Sequence, residues 1–154
     1  MSRRHQIFCI IASLMGFYGI AAGALAAHAV SDPMLAARIN SAALYALIHA
    51  AVLVSWSDDS RSALLVKCIF VLGVLLFSGG MMLAYMGGLM AVSRVIPAGG
   101  TLLLTAWLGL GACALYSFRR HGVLAADTSL NEIVTRRPGL SSDRLCRPMR
   151  QPHR

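Results

Sequence analysis

Apolar residues run almost without interruption through three stretches, Ile7 to Val30, Leu64 to Met86 and Gly99 to Phe118. Each is about 20 residues or longer, enough for a helix to cross a hydrocarbon core of roughly 30 Å. A fourth stretch, Ser41 to Trp56, reads SAALYALIHAAVLVSW and is marginal at 16 residues. It is either a re-entrant segment or, extended back through Met34, a full-length tilted helix. Asp32-Pro33 stops the first span, because proline lacks an amide donor and pushes the residue before it out of the α region. Gly87-Gly88 followed by Arg94 to Pro97 makes a second turn. The pattern predicts an all-α integral membrane four-helix bundle with spans at about 7–30, 34–56, 64–86 and 97–118, forming one transmembrane domain over 1–120. His121 to Arg154 holds six arginines, three acids and three prolines with no sustained apolar period. It is expected to be a disordered basic tail at anionic lipid, lacking the apolar surface to order itself.

Charge decides the number of spans. With the N-terminus inside, four spans place Arg3, Arg4, Arg61, Lys67, Arg119, Arg120 and the six tail arginines on one side, 12 of the 14 basic residues. Only Arg38 and Arg94 fall on the other, in keeping with the positive-inside rule. Three spans would separate Arg119 and Arg120 from Arg3 and Arg4. The first span is read as a retained anchor and not a cleaved signal peptide. Although Ala24-Leu25-Ala26 offers a small-residue cleavage pattern, the apolar run extends well beyond a signal core of about 7–15 residues.

Composition agrees with a membrane protein, at 57% hydrophobic and 13% charged residues. The net charge of +8 comes from span edges and the tail, with no folded basic face or stacking platform for nucleic acid. Cys9, Cys68, Cys113 and Cys146 have no metal-ligand spacing and are read as small packing residues, so no metal or cofactor is expected.

The chemistry-bearing candidates are polar residues inside the spans. Tyr45 and His49 lie one turn apart on one helical face. Ionisable groups at such depth face the bundle interior or a cavity. A charged side chain at a helix centre costs roughly 2.5–3.5 kcal/mol on insertion scales. His49 is therefore expected to be uncharged and hydrogen-bonded towards the first and third spans, with Ser78 and His28 as candidate partners. His28 has a second reading, an interfacial side chain at the helix end. Lys67, one turn into its span, is expected to snorkel to the headgroups, and Trp107 either aims its indole N–H at a bundle acceptor or faces lipid. Small residues mark expected packing faces: Gly19, Gly23 and Ala27 in the first span, Gly79, Gly80, Ala84 and Gly88 in the third, and Gly99, Gly100, Thr101, Thr105, Gly109 and Cys113 at the fourth. Met81, Met82 and Met86 are read as adaptable packing groups and not soft-metal ligands.

Four motifs carry a family resemblance. Gly23-Ala24-Leu25-Ala26-Ala27-His28 is similar to Gly-Ala-x-Gly-Ala-His, Tyr45 with His49-Ala50 to Tyr-x-x-x-His-Ala, Phe77-Ser78-Gly79 to Phe-Ser-Gly, and Pro97-Ala98-Gly99-Gly100 with Trp107 to Pro-x-Gly-Gly and a later Gly-Trp. Their order over about Gly16 to Leu115 resembles the small bacterial inner-membrane proteins typified by YgdD, domain of unknown function family 423, related to transmembrane protein 256. Ala26, Gly80 and Ala106 depart from the family pattern. The resemblance implies a four-helix protein of the bacterial inner (plasma) membrane and supplies no reaction. Both termini are expected to be cytoplasmic.

Two functions compete. One is a small scaffold or interaction protein, in which His28, Tyr45, His49 and Ser78 fix a helix arrangement or a partner surface. The other is a permeation or transport module for a small solute, proton or metal, with the same residues lining a midplane site. An enzyme is not expected, since no nucleophile with an adjacent base, metal-ligand cluster or phosphate loop is visible. The expected partners are the lipid bilayer and either a second copy or another membrane protein. A scaffold pairs its polar groups and seals them, whereas a transporter lines a continuous polar path.

Overall fold

The computed structural model describes residues 2–136; residues 137–154, the rest of the expected tail, lie outside the described residues. Helix α1, Arg3–His28, begins where the Ser2 hydroxyl accepts from the His5 amide at 3.1 Å. The Asp32-Pro33 pair that ends it also starts α2, Pro33–Ser55. The Asp32 carboxylate accepts from the Met34 amide at 3.0 Å, and Pro33 occupies the first turn, where a missing N–H leaves nothing unpaired. At 23 residues α2 is a full-length span, so the re-entrant alternative for Ser41 to Trp56 falls away.

The third span is composite. Helix α3, Arg61–Val74, is capped by the Ser60 hydroxyl, gives way to a π-helical turn at Leu75–Gly79, and resumes as α4, Gly80–Tyr85. Gly88 then turns the chain with φ of 68°, in the left-handed region open to glycine. A short 3₁₀ turn at Met90–Val95 leads into α5, Ile96–Arg136. Four helical stretches are long and apolar enough to cross a membrane: Arg3–His28, Pro33–Ser55, Arg61–Tyr85 and Met90–Arg120. No strand occurs among the described residues.

The chain divides into two compact units, Met1–Cys113 and Ala114–Arg154. In the second, the described residues are helical as far as Arg136, past the Arg119-Arg120 doublet that marks the expected end of the fourth span. His121 to Arg136 contains no proline and several good helix formers, among them Leu124, Ala125, Ala126 and Leu130; the first proline is Pro138. Local propensity therefore permits a helix where no apolar face was present to announce one.

Within the first unit, small side chains set the helix spacing. Ala12, Ala22 and Ala26 on α1 and Ala42, Ala43, Ala46 and Ala50 on α2 are all buried. A Cβ added at Gly19 would come within 2.7 Å of Leu47 and 3.0 Å of the Ala43 carbonyl. The fourth span meets the third at still shorter range, because a Cβ at Gly99 would lie 2.5 Å from the Phe77 backbone nitrogen. Gly73 receives Leu103, and Gly109 receives Val66, each at 2.8 Å from the missing Cβ. Glycine here permits backbone approach that any side chain would forbid.

The packing face of α5 is thus Gly99, Leu103 and Ala106, all buried, and not the expected Thr101 and Thr105. Both threonines are exposed and donate to carbonyls of their own helix, Ala98 and Leu102, at 2.8 Å. A hydroxyl satisfied within its helix needs no neighbour. Gly80 faces Ile96, Ala84 is buried, Gly100 lies against the Phe77 ring and Gly23 against Ala43. Gly79 has nothing within 4 Å of a built Cβ and lines an apolar groove between α1 and the third span. Ala27 is exposed along a cleft between α1 and α2.

Gly99→Ala is expected to lower stability in detergent by about 1–3 kcal/mol, the range for overpacking where the neighbour is backbone and cannot yield. Gly79→Ala should change it by less than about 0.5 kcal/mol. Thermal unfolding of the two variants side by side checks the contrast.

Candidate functional site

His49 sits near the middle of α2 and is only 2% exposed. Its Nδ1 lies 2.6 Å from the Tyr45 carbonyl, and its Nε2 lies 3.3 Å from the indole nitrogen of Trp107 on α5. A carbonyl accepts and an indole N–H donates, so the partners assign one tautomer, with the proton on Nδ1 and a lone pair on Nε2. The ring is therefore neutral and paired on both nitrogens. Phe70, fully buried on α3, packs against both members of the pair, with its ring centre 5.4 Å from His49 and 5.7 Å from Trp107. Ala46, Ala50, Leu103 and Ala106 belong to the same buried core as Phe70, while the Trp107 side chain is 44% exposed.

His49 thus faces the interior, but neither sequence-expected partner reaches it. Ser78 is fully buried in the π-helical turn, where its carbonyl accepts from the Tyr18 hydroxyl at 2.9 Å. Its own Oγ has no partner. His28 is exposed in the last turn of α1 and shares no hydrogen bond or ring contact with His49 among the described residues. Tyr45 is a further correction. Its ring is 4.7 Å from Phe77 and stacks at 6.1 Å on His49, yet the side chain is 41% exposed. The hydrogen bond to His49 comes from the Tyr45 carbonyl, because a helix places the carbonyl of residue i−4 beside the histidine ring.

Lys67 differs most from expectation. Instead of reaching the headgroups it is 1% exposed. Its ammonium donates to the Asp58 carbonyl at 2.8 Å and stands 5.5 Å and 5.4 Å from the ring centres of Phe8 and Trp56. A main-chain acceptor and two aromatic faces replace water around the cation. The side chain thereby ties the loop after α2 to α1 and α3. His5 is buried on the same face of α1 as Phe8, with Nε2 3.5 Å from the Cys9 sulfur. On the opposite side of the bundle the Arg38 guanidinium lies 4.5 Å over the Tyr85 ring, linking α2 to the end of the third span.

Both His49 nitrogens are therefore engaged within the protein in the arrangement seen. No group of three or more His, Cys, Asp or Glu side chains with metal-site geometry occurs among the described residues. What the geometry does is fasten α2 to α5. Trp107→Phe is expected to remove one interhelical hydrogen bond, costing about 0.6 kcal/mol. In ¹⁵N spectra of labelled histidine, His49 should show a protonated Nδ1 and an unprotonated Nε2, with the Nε2 resonance moving in the variant.

Comparison with known proteins places the chain. It is 31% identical over 110 residues to a protein named "UPF0382 membrane protein" from Haemophilus influenzae, an alignment covering 67% of this chain and 89% of the relative. No solved structure matches. The family described as "Protein of unknown function (DUF423)" matches residues 22–100, the part that contains Tyr45, His49, Ser78 and Gly99. Together with the four apolar helices, these matches establish that the chain is a membrane protein belonging to the DUF423 family.

Proposed function

We propose that this chain is a small scaffold or interaction protein of the bacterial inner membrane, with both ends of its four-span domain on the cytoplasmic side and no reaction of its own. The observation that carries the reading is the double pairing of His49. Its nitrogens are met by Tyr45 and Trp107 and covered by apolar side chains, which is how a bundle holds one arrangement of helices. A permeation module would instead need neighbouring polar groups left free to receive a solute in sequence across the bundle. The groove beside Tyr18 and Ser78 is apolar along its walls and is lined by α1 and the third span alone. Orientation follows from charge: the ends of α1, α3 and the last span that carry Arg3, Arg4, Arg61, Lys67, Arg119 and Arg120 share one side when four spans are crossed.

Proteoliposomes holding the full chain should dissipate an imposed proton gradient no faster than empty vesicles. Photo-crosslinkers at the exposed positions Leu104 and Leu108 should give a discrete protein adduct in cells. Flux above the empty-vesicle rate that is lost in His49→Ala would favour permeation instead. A reporter fused after Arg120 should read as cytoplasmic; a periplasmic signal contradicts the four-span orientation.

A further inference from the structure

We propose that two copies of this chain pair in the membrane through the face of α1 and α2 around Asn40, joined by hydrogen bonds between their Asn40 carboxamides. This pairing rests on the scaffold reading and names its partner, on a face of α1 and α2 and not of α5. Asn40 is the one asparagine within the four spans. It stands four residues from the midpoint of Pro33–Ser55, about 6 Å along the helix axis, and a hydrocarbon core centred on the span reaches about 15 Å either side. Its side chain is exposed and makes no hydrogen bond among the described residues. Its polar neighbours are met within the chain: the Ser41 hydroxyl donates to the Ala37 carbonyl at 3.0 Å, and the Arg38 guanidinium lies over the Tyr85 ring. A carboxamide facing hydrocarbon with both ends unpaired is costly, and another helix is where it finds relief.

The surface beside Asn40 is shaped for close approach. A cleft of about 320 Å³ lies between α1 and α2, and apart from Asn40 it is lined by Gly23, Ala26, Ala27, Ala36 and Ala37. The room these small residues leave is not used within the chain. A Cβ at Gly23 would meet only the Ala43 Cβ, at 3.9 Å, whereas the space at Gly19, one turn earlier, is taken by Leu47 at 2.7 Å. Elsewhere the outward side of α1 carries the large exposed residues Ile10, Leu14, Phe17 and Ile20. Small residues beside Asn40 therefore leave a seat where a second helix can bring its backbone close and its polar group within reach.

The chemistry of the amide selects the occupant. A carboxamide presents both donors and an acceptor, so its full complement is another carboxamide. An acyl chain offers neither, and lipid ester carbonyls, at the boundary of the core, accept without donating. Two copies inserted the same way are related by a two-fold axis along the membrane normal, which puts identical residues at identical depth. Asn40 of one copy then meets Asn40 of the other in register, each amide N–H donating to the opposite carbonyl. A different membrane protein would have to supply its own carboxamide at that same depth.

The test counts copies by single-molecule photobleaching of the full chain, carrying one fluorophore at its C-terminus, in phosphatidylethanolamine and phosphatidylglycerol liposomes at decreasing protein density. The parent should pass from paired to single on dilution. Asn40→Leu should come apart at about tenfold higher density, the effect of losing a hydrogen-bonded pair within the membrane. Asn40→Gln, which keeps a carboxamide, should stay paired. Ala37→Leu, which fills the cleft and leaves Asn40 in place, should abolish pairing. Both substituted positions are exposed, so helix content by circular dichroism should match the parent in all three variants. A parent that is single at every density, equal pairing in Asn40→Leu and the parent, or undiminished pairing in Ala37→Leu would each overturn the proposal. A single parent whose Leu104 and Leu108 crosslinkers still give an adduct would overturn the pairing and leave the scaffold reading standing.

Discussion

The hydrocarbon core of a bilayer offers no water, so each polar group inside it must be met by another group of the protein. In this bundle that demand falls most heavily on His49, which lies near the middle of its helix. The imidazole meets it with a bond to its own helix and a bond across to Trp107. The first fixes the tautomer, and the second then becomes available to an indole that can only donate. Phe70, edge-on to the indole and tilted against the imidazole, fills the space that water would otherwise need.

Close helix contact extends the same logic. Helices in lipid gain little from burying apolar surface, so association rests on short-range packing and shared hydrogen bonds. Gly99 brings α5 against the backbone of the π-helical turn, and Tyr18 on α1 donates to the carbonyl of Ser78 in that turn. A widened turn is thus held by α1 through a hydrogen bond and by α5 through van der Waals contact. The consequence is local: the Ser78 hydroxyl is buried without a partner, whereas Ser13, Ser41 and Ser55 donate to carbonyls of their own helices.

Much of the fold was legible because membrane spans are written as long apolar runs with explicit stops. Asp32-Pro33 marked both an end and a beginning, and the distribution of arginines favoured four spans over three. The inward direction of His49 was equally readable. Its partner was not, since Trp107 lies 58 residues away and no spacing rule relates faces of two separate helices. Tyr18 gave no signal at all within an apolar run. The threonine face of α5 misled because serine and threonine count as polar in a pattern yet are satisfied internally in a helix. Lys67 misled for a different reason: its length lets it reach outwards or inwards, and the inward choice depends on Phe8, Trp56 and the Asp58 carbonyl being brought together by folding.

The claim that the polar centre is paired and sealed is tested most directly by hydrogen exchange at the Trp107 indole. With Trp56 as the second of the chain's two tryptophans, ¹⁵N-tryptophan spectra in nanodiscs transferred to deuterated buffer resolve the two N–H signals. The account predicts that the Trp107 signal persists long after that of Trp56 has gone, and that His49→Ala shortens its lifetime. Loss of both signals at the same rate would mean that water reaches the middle of the bundle, contradicting a sealed core.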